Sequence, residues 1–272
     1  MRYKSLKNTM KNFLYTILLL AVVTTSCTKN NDDLQFDTAV KAKLSVEFDN
    51  IVGAADLQLN TGTYTNAAGE SFKVNKLKYY ISNFAVTNIN GTVYTVPADS
   101  SYYLIDESTV TSHRPVLNIP EGEYKTLSFI IGVDSLRNTM DISKRTGVLD
   151  PTTTAADMYW GWNSGYIFYK LEGTAASAAT GNFMYHVGGF GGYSTATVNN
   201  LRTITIDLTA RGTAKVKAGK TSNIHLFADV LKTLNGTTNM SFASVSMIHA
   251  PLGAVSLANN YISMFTHDHT EN

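Results

Sequence analysis

Short stretches of alternating apolar and polar residues, separated by turn signals, limit most strongly what this chain can fold into. Between Ala42 and Phe48 the apolar side chains Leu44, Val46 and Phe48 alternate with other residues, so a strand would place all three on one face. Asn90-Gly91 is a strong hairpin signal. The 15 Tyr, 12 Phe and 19 Gly also favour strands and turns. The sequence predicts an all-β fold, a single antiparallel β-sandwich with long loops.

Three local patterns refine this prediction. An irregularity is expected near Ser82 and Asn83, where the apolar alternation of one strand is interrupted. The segment from Asp134 to Pro151 has few apolar positions and several turn formers, which predicts a long surface loop. The segments Met158–Glu172 and Asn182–Val187 are expected to pair as a hairpin.

The N-terminal segment has the pattern of a secretory signal. Basic residues precede an apolar run from Phe13 to Val23, which is too short to span a bilayer, and small residues follow. The next residues are polar and lack apolar periodicity, which is typical of a flexible tether. The expected organisation is a lipoprotein signal peptide over residues 1–27, a tether over residues 28–42, and one β-sandwich domain over residues 43–272.

Cys27 is the only cysteine of the chain and stands where the signal ends. Small residues followed by a cysteine resemble a bacterial lipobox, in which that cysteine is lipidated and becomes the mature N-terminus. The alternative is an ordinary cleavage site with an incidental cysteine. With one cysteine, no disulfide within the chain is possible. The expected location is the cell envelope, lipid-anchored at the outer membrane and facing the periplasm or the cell surface.

Charge and motif content exclude several functions. The net charge is +1, so a nucleic-acid partner is not expected. The sequence has no GxSxG motif and no compact carboxylate pair flanked by aromatic residues, and its GGFGG segment lacks the Lys-Ser/Thr of a P-loop. We therefore expect a protein without catalytic activity.

Histidines and tryptophans supply the remaining chemical signal. Trp160 and Trp162 alternate with small residues, so a strand would point both to one face. Imidazole suits copper and zinc, and ligands in a sandwich can come from separate strands or loops. The alternative is that the tryptophans are packed core residues and the histidines are hydrogen-bonded to the backbone. The candidate metal ligands are His186, His225, His249, His267 and His269.

An ordered set of motifs resembles the MbnP-like family of secreted or lipid-anchored bacterial β-sandwich proteins, many of them from Bacteroidetes. The resemblance runs from about Leu44 to the C-terminus, with Trp160, Trp162 and His186 at matching positions. The motifs are KYYISNFAV at 78–86, IIGVDSLRN at 130–138, GVLDP at 147–151, MYWGWNSGYIFYKLEG at 158–173 and YHVGGFGGY at 185–193.

The resemblance implies copper binding. In family members from methane oxidisers, histidines and a kynurenine made by oxidising a tryptophan form the copper site, and a partner di-haem enzyme of the MauG type performs that oxidation. Trp160 and Trp162 are the corresponding modification candidates here. One position departs from the pattern, because proteobacterial members carry an Asn-His pair where this chain has Asn138-Thr139.

Two functions are therefore expected from the sequence. The first is an exported, lipid-anchored protein that binds copper through histidines. The second is a binding or structural module of the outer membrane or cell surface, in which the same histidines and tryptophans are simply packed.

Overall fold

The computed structural model describes residues 34–162 and 165–272, and the predicted signal peptide with Cys27 lies outside them. The strands in chain order are β1 Lys41–Val52, β2 Ala55–Asp56, β3 Tyr64–Thr65, β4 Ser71–Asn88, β5 Val93–Thr95, β6 Tyr102–Asp106, β7 Val116–Pro120, β8 Gly122–Ile131, β9 Tyr159–Trp160, β10 Gly165–Ala175, β11 Asn182–Gly188, β12 Arg202–Asp207, β13 Ala214–Val216, β14 Ser222–Asp229, β15 Met247–Ile248 and β16 Phe265–Glu271. The α-helices of the described residues are α1 Ser135–Asn138, α2 Val230–Leu234 and α3 Val255–Asn260. The short 3₁₀ helices are Ala98–Ser100, Val110–His113, Ile142–Lys144, Gly147–Leu149, Ala156–Met158, Leu252–Ala254 and Tyr261–Ser263.

Within the described residues these strands form two sheets. The smaller has five strands in the order β16-β14-β1-β2, with β7 also paired to β1. The larger has eleven, and its central path is β12-β8-β4-β10-β11-β15. The predicted all-β, sandwich-like fold is confirmed.

Two strand pairs are parallel, so the prediction of a purely antiparallel sandwich was wrong in this detail. Strand β1 pairs with β14 in parallel from Leu44↔Ser222 to Ile51↔Asp229, and β11 pairs in parallel with β15. Parallel neighbours need a long crossover connection rather than a tight turn. Here most of the larger sheet lies in sequence between β1 and β14. No local turn signal in the sequence could therefore predict the pairing of β1 with β14.

Aromatic rings from both sheets form the centre of the main core. Phe48 and Phe265 come from the smaller sheet, and Tyr79 and Phe129 from the larger. The centroid of the Phe129 ring lies 5.6 Å from that of Phe48 and 5.1 Å from that of Phe265, both edge-to-face. These geometries are the ones that aromatic pairs prefer. The alternation predicted for β1 is confirmed, since Leu44, Val46 and Phe48 are all fully buried.

Much of the predicted surface loop at Asp134–Pro151 is exposed, as expected, but part of it packs against the larger sheet. Tyr80 donates a hydrogen bond to the carbonyl of Val148 at 2.7 Å, and Tyr166 donates to the carbonyl of Leu149 at 2.5 Å. Leu149, Met158 and Trp160 supply the apolar contact of the segment 134–160, whereas Leu136 and Ile142 are exposed. This second apolar cluster comprises Tyr80, Leu104, Val133, Leu149, Ala155, Met158, Trp160, Tyr166, Ile167 and Phe168.

Two local predictions are confirmed. The register of β4 against β8 shifts between Ser82 and Ala85, and Asn83 adopts a φ of 54°, as expected for an irregularity at this point. Strands β10 and β11 form the expected hairpin, with Thr174 opposite Asn182.

Residues Phe36–Asn272 form one compact unit. Strand β1 begins at Lys41, within the predicted tether, and the Asp37 amide already donates to Glu121 at 3.1 Å. The last residues of the predicted tether therefore contact the domain. Among the described residues, no helix is both long and apolar enough to cross a membrane.

Candidate metal centre

The five predicted ligand histidines fall into two groups on different sheets. His186 lies on β11, and His249 directly follows β15, so both belong to the larger sheet. His225 on β14 and His267 and His269 on β16 belong to the smaller sheet. The sequence left the partner of His186 open among the other four, and in the structure the histidine beside it is His249.

Strand register places His186 beside His249. Tyr185 pairs with Ile248 in the parallel ladder between β11 and β15, so the residues that follow each of them are also adjacent. The two imidazole centroids lie 4.7 Å apart, with the rings inclined by 40°. Thus the two-residue strand β15, which is far from β11 in sequence, places His249 next to His186.

The ring nitrogens of His186 have different environments. Nε2 lies 2.8 Å from Oε1 of Glu172, across the β10–β11 hairpin. Nδ1 is buried without a hydrogen-bond partner among the described residues. Because a carboxylate oxygen only accepts, the hydrogen bond places the proton on Nε2 and leaves a lone pair on Nδ1. Burial lowers the pKa of His186 to about 4, although Glu172 opposes this shift, so the imidazole is neutral at neutral pH.

A row of charged side chains lies next to His186 on the same face. Lys78, Lys170 and His186 occupy neighbouring positions across β4, β10 and β11. Lys78 Nζ lies 3.3 Å and Lys170 Nζ 3.8 Å from Oδ2 of Asp157. Burial lowers the pKa of Lys170, against the effect of Asp157 and Glu172. The positive charge of Lys170 adds to burial in disfavouring an imidazolium at His186.

The two tryptophans differ in exposure, although their rings touch. Strand β9 ends at Trp160, which is 3% exposed, and Trp162 lies in the following turn with 63% of its surface exposed. The alternative that both tryptophans are packed core residues is therefore wrong for Trp162, which lies outside the strand and is exposed. The ring centroids of the pair are 5.4 Å apart, and that of Trp160 is 6.3 Å from His249. Trp160 forms part of the wall around the histidine pair.

Gly188 explains how the Trp160 ring can lie so close to β11. A Cβ atom at Gly188 would come within 2.5 Å of the Trp160 ring, so only glycine fits there. The glycines after His186 were noted in the sequence, and this contact gives one of them a structural role.

Trp160 also lines a cavity of 550 Å³. Its wall includes Thr139, at the position where proteobacterial relatives are expected to carry a histidine, together with Arg145, Phe190 and Pro251. The Thr139 hydroxyl donates to the carbonyl of Ser135 at 2.7 Å. Arg145 was not singled out from the sequence, because its role as a buried donor to backbone carbonyls depends on how the segment 134–160 packs.

The other histidine group lies where β14 and β16 pair. The rings of His225 and His269 stack with centroids 5.0 Å apart, and the Asp268 carboxylate approaches both. His267 lies next to this group in sequence, but its Nε2 contacts the Thr270 hydroxyl at 2.9 Å. Within residues 34–162 and 165–272, His225, Asp268 and His269 are the one set of three histidine, cysteine or acidic side chains placed to share an ion.

Copper fits the donor set around His186. Metal binding needs neutral imidazoles, and His186 is neutral with a lone pair on a nitrogen that lacks another partner. The indole Nε1–H of Trp160 is a donor only and cannot ligate a metal in its unmodified form. It also finds no acceptor within the part of the chain that the structure describes. The arrangement can thus offer two imidazoles beside one tryptophan.

Comparison with known proteins identifies the family. The solved structure of MbnP from Methylosinus trichosporium has a similar fold, with a TM-score of 0.51 and 16% sequence identity over 77% of this chain and 81% of that chain. At this identity the likeness concerns the fold alone. A search of curated proteins finds no match. The sequence model of the MbnP family matches residues 41–250, and the chain therefore belongs to the MbnP family.

Proposed function

We propose that this protein is an exported, non-catalytic protein that binds copper as its cargo, with His186 and His249 as ligands. The MbnP family, to which the chain belongs, is associated with copper. Imidazole is a suitable copper ligand, and copper binds most tightly among the divalent first-row ions at such a site.

The environment of His186 is the observation that carries this proposal. A carboxylate on one ring nitrogen of a ligating histidine fixes the tautomer and the orientation of the ring, and Glu172 occupies that position. The opposite nitrogen, Nδ1, is buried and unpartnered among the described residues. His249 is exposed. Its side chain can therefore change rotamer and bring its imidazole toward Nδ1 of His186 without displacing core side chains.

Trp160 is the tryptophan that we propose for oxidation to kynurenine, because its ring lies beside His249. Unlike indole, kynurenine has an aryl amine and a ketone, whose lone pairs could serve as further ligands. Two molecules of hydrogen peroxide would supply two oxygen atoms across the C2–C3 bond of the indole and leave as water. Hydrolysis would then release C2 as formate. The proposed partner for this step is a di-haem enzyme of the MauG type.

We expect His186→Ala to lower copper affinity by at least about 100-fold, since even partners of metal ligands contribute about 10–100-fold. Copper titration of untagged protein, with a chelator as competitor, measures this effect. All proteins in the comparison should carry His269→Ala, which removes the imidazole pair on the smaller sheet. His249→Ala should also weaken binding.

The matched control is His113→Ala, because His113 lies in neither histidine group. Copper affinity and stoichiometry should be unchanged in this variant. Equal binding by the His186→Ala protein would remove His186 from the site, and no binding by the parent would favour the non-metal module. In protein from the native host, fragment-ion mass spectrometry should find a gain of one oxygen less one carbon on Trp160. Trp160→Phe should abolish that gain.

We further propose that Cys27 is lipidated and anchors the protein at the outer membrane. Two acyl chains give stable anchoring, where a single chain is marginal. Cys27→Ser is expected to release the protein from the membrane fraction or leave it unprocessed, as measured by fractionation and intact mass. Unchanged fractionation together with an unchanged mass would contradict lipidation.

A further inference from the structure

The pairing of β14 with β16 is interrupted at one position. His225 lies opposite His269 and Leu226 lies opposite His267, which leaves Asp268 as an extra residue on β16. In a regular strand, consecutive side chains point to opposite faces. A bulge changes this direction locally. Here Asp268 and His269 both approach His225.

Three potential ligand atoms converge as a result. His225, Asp268 and His269 each offer one ligand atom within 4.8 Å of the other two. Nδ1 of both histidines faces Oδ2 of Asp268. This carboxylate oxygen is 3.2 Å from Nδ1 of His225 and 2.8 Å from Nδ1 of His269. Ligand atoms bound tetrahedrally to one ion at about 2.0–2.2 Å are about 3.3–3.6 Å apart. Side-chain movements on the order of 1 Å would therefore give this geometry.

The outer nitrogens of both imidazoles face other carboxylates. Nε2 of His225 lies 3.7 Å from Asp49, and Nε2 of His269 lies 3.7 Å from Glu271. The Asp49 carboxylate favours the Nε2–H tautomer of His225, which directs its Nδ1 lone pair inward. Nδ1 of His269 donates to Asp268 at 2.8 Å, and a bound ion would replace that proton. Although Nδ1 of His225 is near Asp268, it forms no aligned hydrogen bond with any residue that the structure describes.

We propose that His225, Asp268 and His269 form a second metal site, separate from His186, for a divalent late first-row ion such as Zn²⁺. Two imidazoles and one carboxylate suit Zn²⁺ and Cu²⁺ and differ from the all-oxygen sets that hold Mg²⁺ and Ca²⁺. Three protein ligands leave a fourth position for water or an external ligand. Arg211 lies 3.7 Å from Oδ1 of Asp268, which leaves Oδ2 for the ion.

The surroundings of the site are compatible with a cation. Asp49, Asp268 and Glu271 contribute negative charge close to the two imidazoles, against one guanidinium from Arg211. The side chain of His269 is 48% exposed, so solvent and metal can reach the site.

The test is a Zn²⁺ titration of the untagged full chain by calorimetry. A His186→Ala background keeps the result independent of the proposed copper site. One equivalent of Zn²⁺ is expected to bind. His269→Ala should lower its affinity by at least about 100-fold, and Asp268→Asn by at least about 10-fold. Because His269 is half exposed, its replacement leaves the core intact, and circular dichroism checks the fold of each variant.

His267→Ala provides a control on the same strand, since His267 contacts Thr270 and is outside the cluster. This variant should bind Zn²⁺ as the parent does. Equal Zn²⁺ affinity in the parent and the His269→Ala protein would overturn the proposal. So would saturation below one ion per chain, or binding of Mg²⁺ as tightly as Zn²⁺.

Discussion

Trp160→Ala is expected to lower the free energy of unfolding by about 3–5 kcal/mol, the range for deleting a buried large aromatic side chain. The ring is 3% exposed and packs in the second apolar cluster, against the backbone at Gly188. The glycine cannot move in to fill the space, because it belongs to the ladder between β10 and β11. Urea unfolding followed by far-UV circular dichroism measures the change.

Trp162→Ala is the matched control, because Trp162 is next to Trp160 and 63% exposed. We expect it to cost about 1 kcal/mol or less, in keeping with substitutions at the surface. Trp160→Phe should retain much of the stability, because it keeps an aromatic ring in the cluster. Equal losses for the two alanine variants would show that Trp160 does not support the packing of this region.

The architecture could be predicted from the sequence where the signals are local. The alternation in β1 identified Leu44, Val46 and Phe48 as one buried face, and the interruption near Asn83 identified the irregularity in β4. Pairings between distant strands could not be predicted in this way. The parallel register of β1 with β14 depends on how the two sheets pack, which no turn or periodicity encodes.

The candidate site illustrates the same limit. The sequence singled out His186 and Trp160, but the neighbour of His186 depends on the pairing of Tyr185 with Ile248 in a two-residue strand. Likewise, the grouping of His225 with His269 depends on the bulge at Asp268. Histidine positions alone therefore left the partner of His186 open, whereas the strand register separates the five histidines into two groups.

Glu70, like Trp160, is a single side chain that we expect to contribute strongly to the stability of its surroundings. Its carboxylate accepts hydrogen bonds from the Phe242 and Ala243 amides at 2.7 and 2.9 Å, and from Asn66 and Ser241 at 2.7 and 2.9 Å. These contacts join the turn before β4 to a segment whose Phe242 ring stacks 4.3 Å from Phe183. Burial alone would raise the pKa of Glu70, but the hydrogen bonds outweigh it and lower the pKa to about 2.

Glu70→Gln is expected to lower the free energy of unfolding at pH 7 by about 2–3 kcal/mol. Hydrogen bonds to a charged group contribute about 1.5–3 kcal/mol each, and partial exposure of Glu70 reduces their sum. A glutamine offers one oxygen to the four donors, and in either orientation its amide nitrogen would face one backbone N–H group and one side-chain donor. Denaturant unfolding of both proteins between pH 7 and pH 2 measures the difference.

The pH dependence of stability distinguishes the contribution of the Glu70 charge from that of its side-chain packing. Because the folded-state pKa of Glu70 lies below its ordinary value of 4.5, the stabilisation is fully present above that value. It is lost as the pH falls toward about 2, where the folded protein also binds the proton. The difference in free energy of unfolding between the wild type and the Glu70→Gln protein should therefore decrease as the pH falls from 4.5 toward about 2. Glu271→Gln, at a side chain that is 66% exposed, should change stability by about 0.5 kcal/mol or less at neutral pH without added metal. A difference that stayed constant down to pH 2 would show that the hydrogen bonds of Glu70 do not depend on its charge.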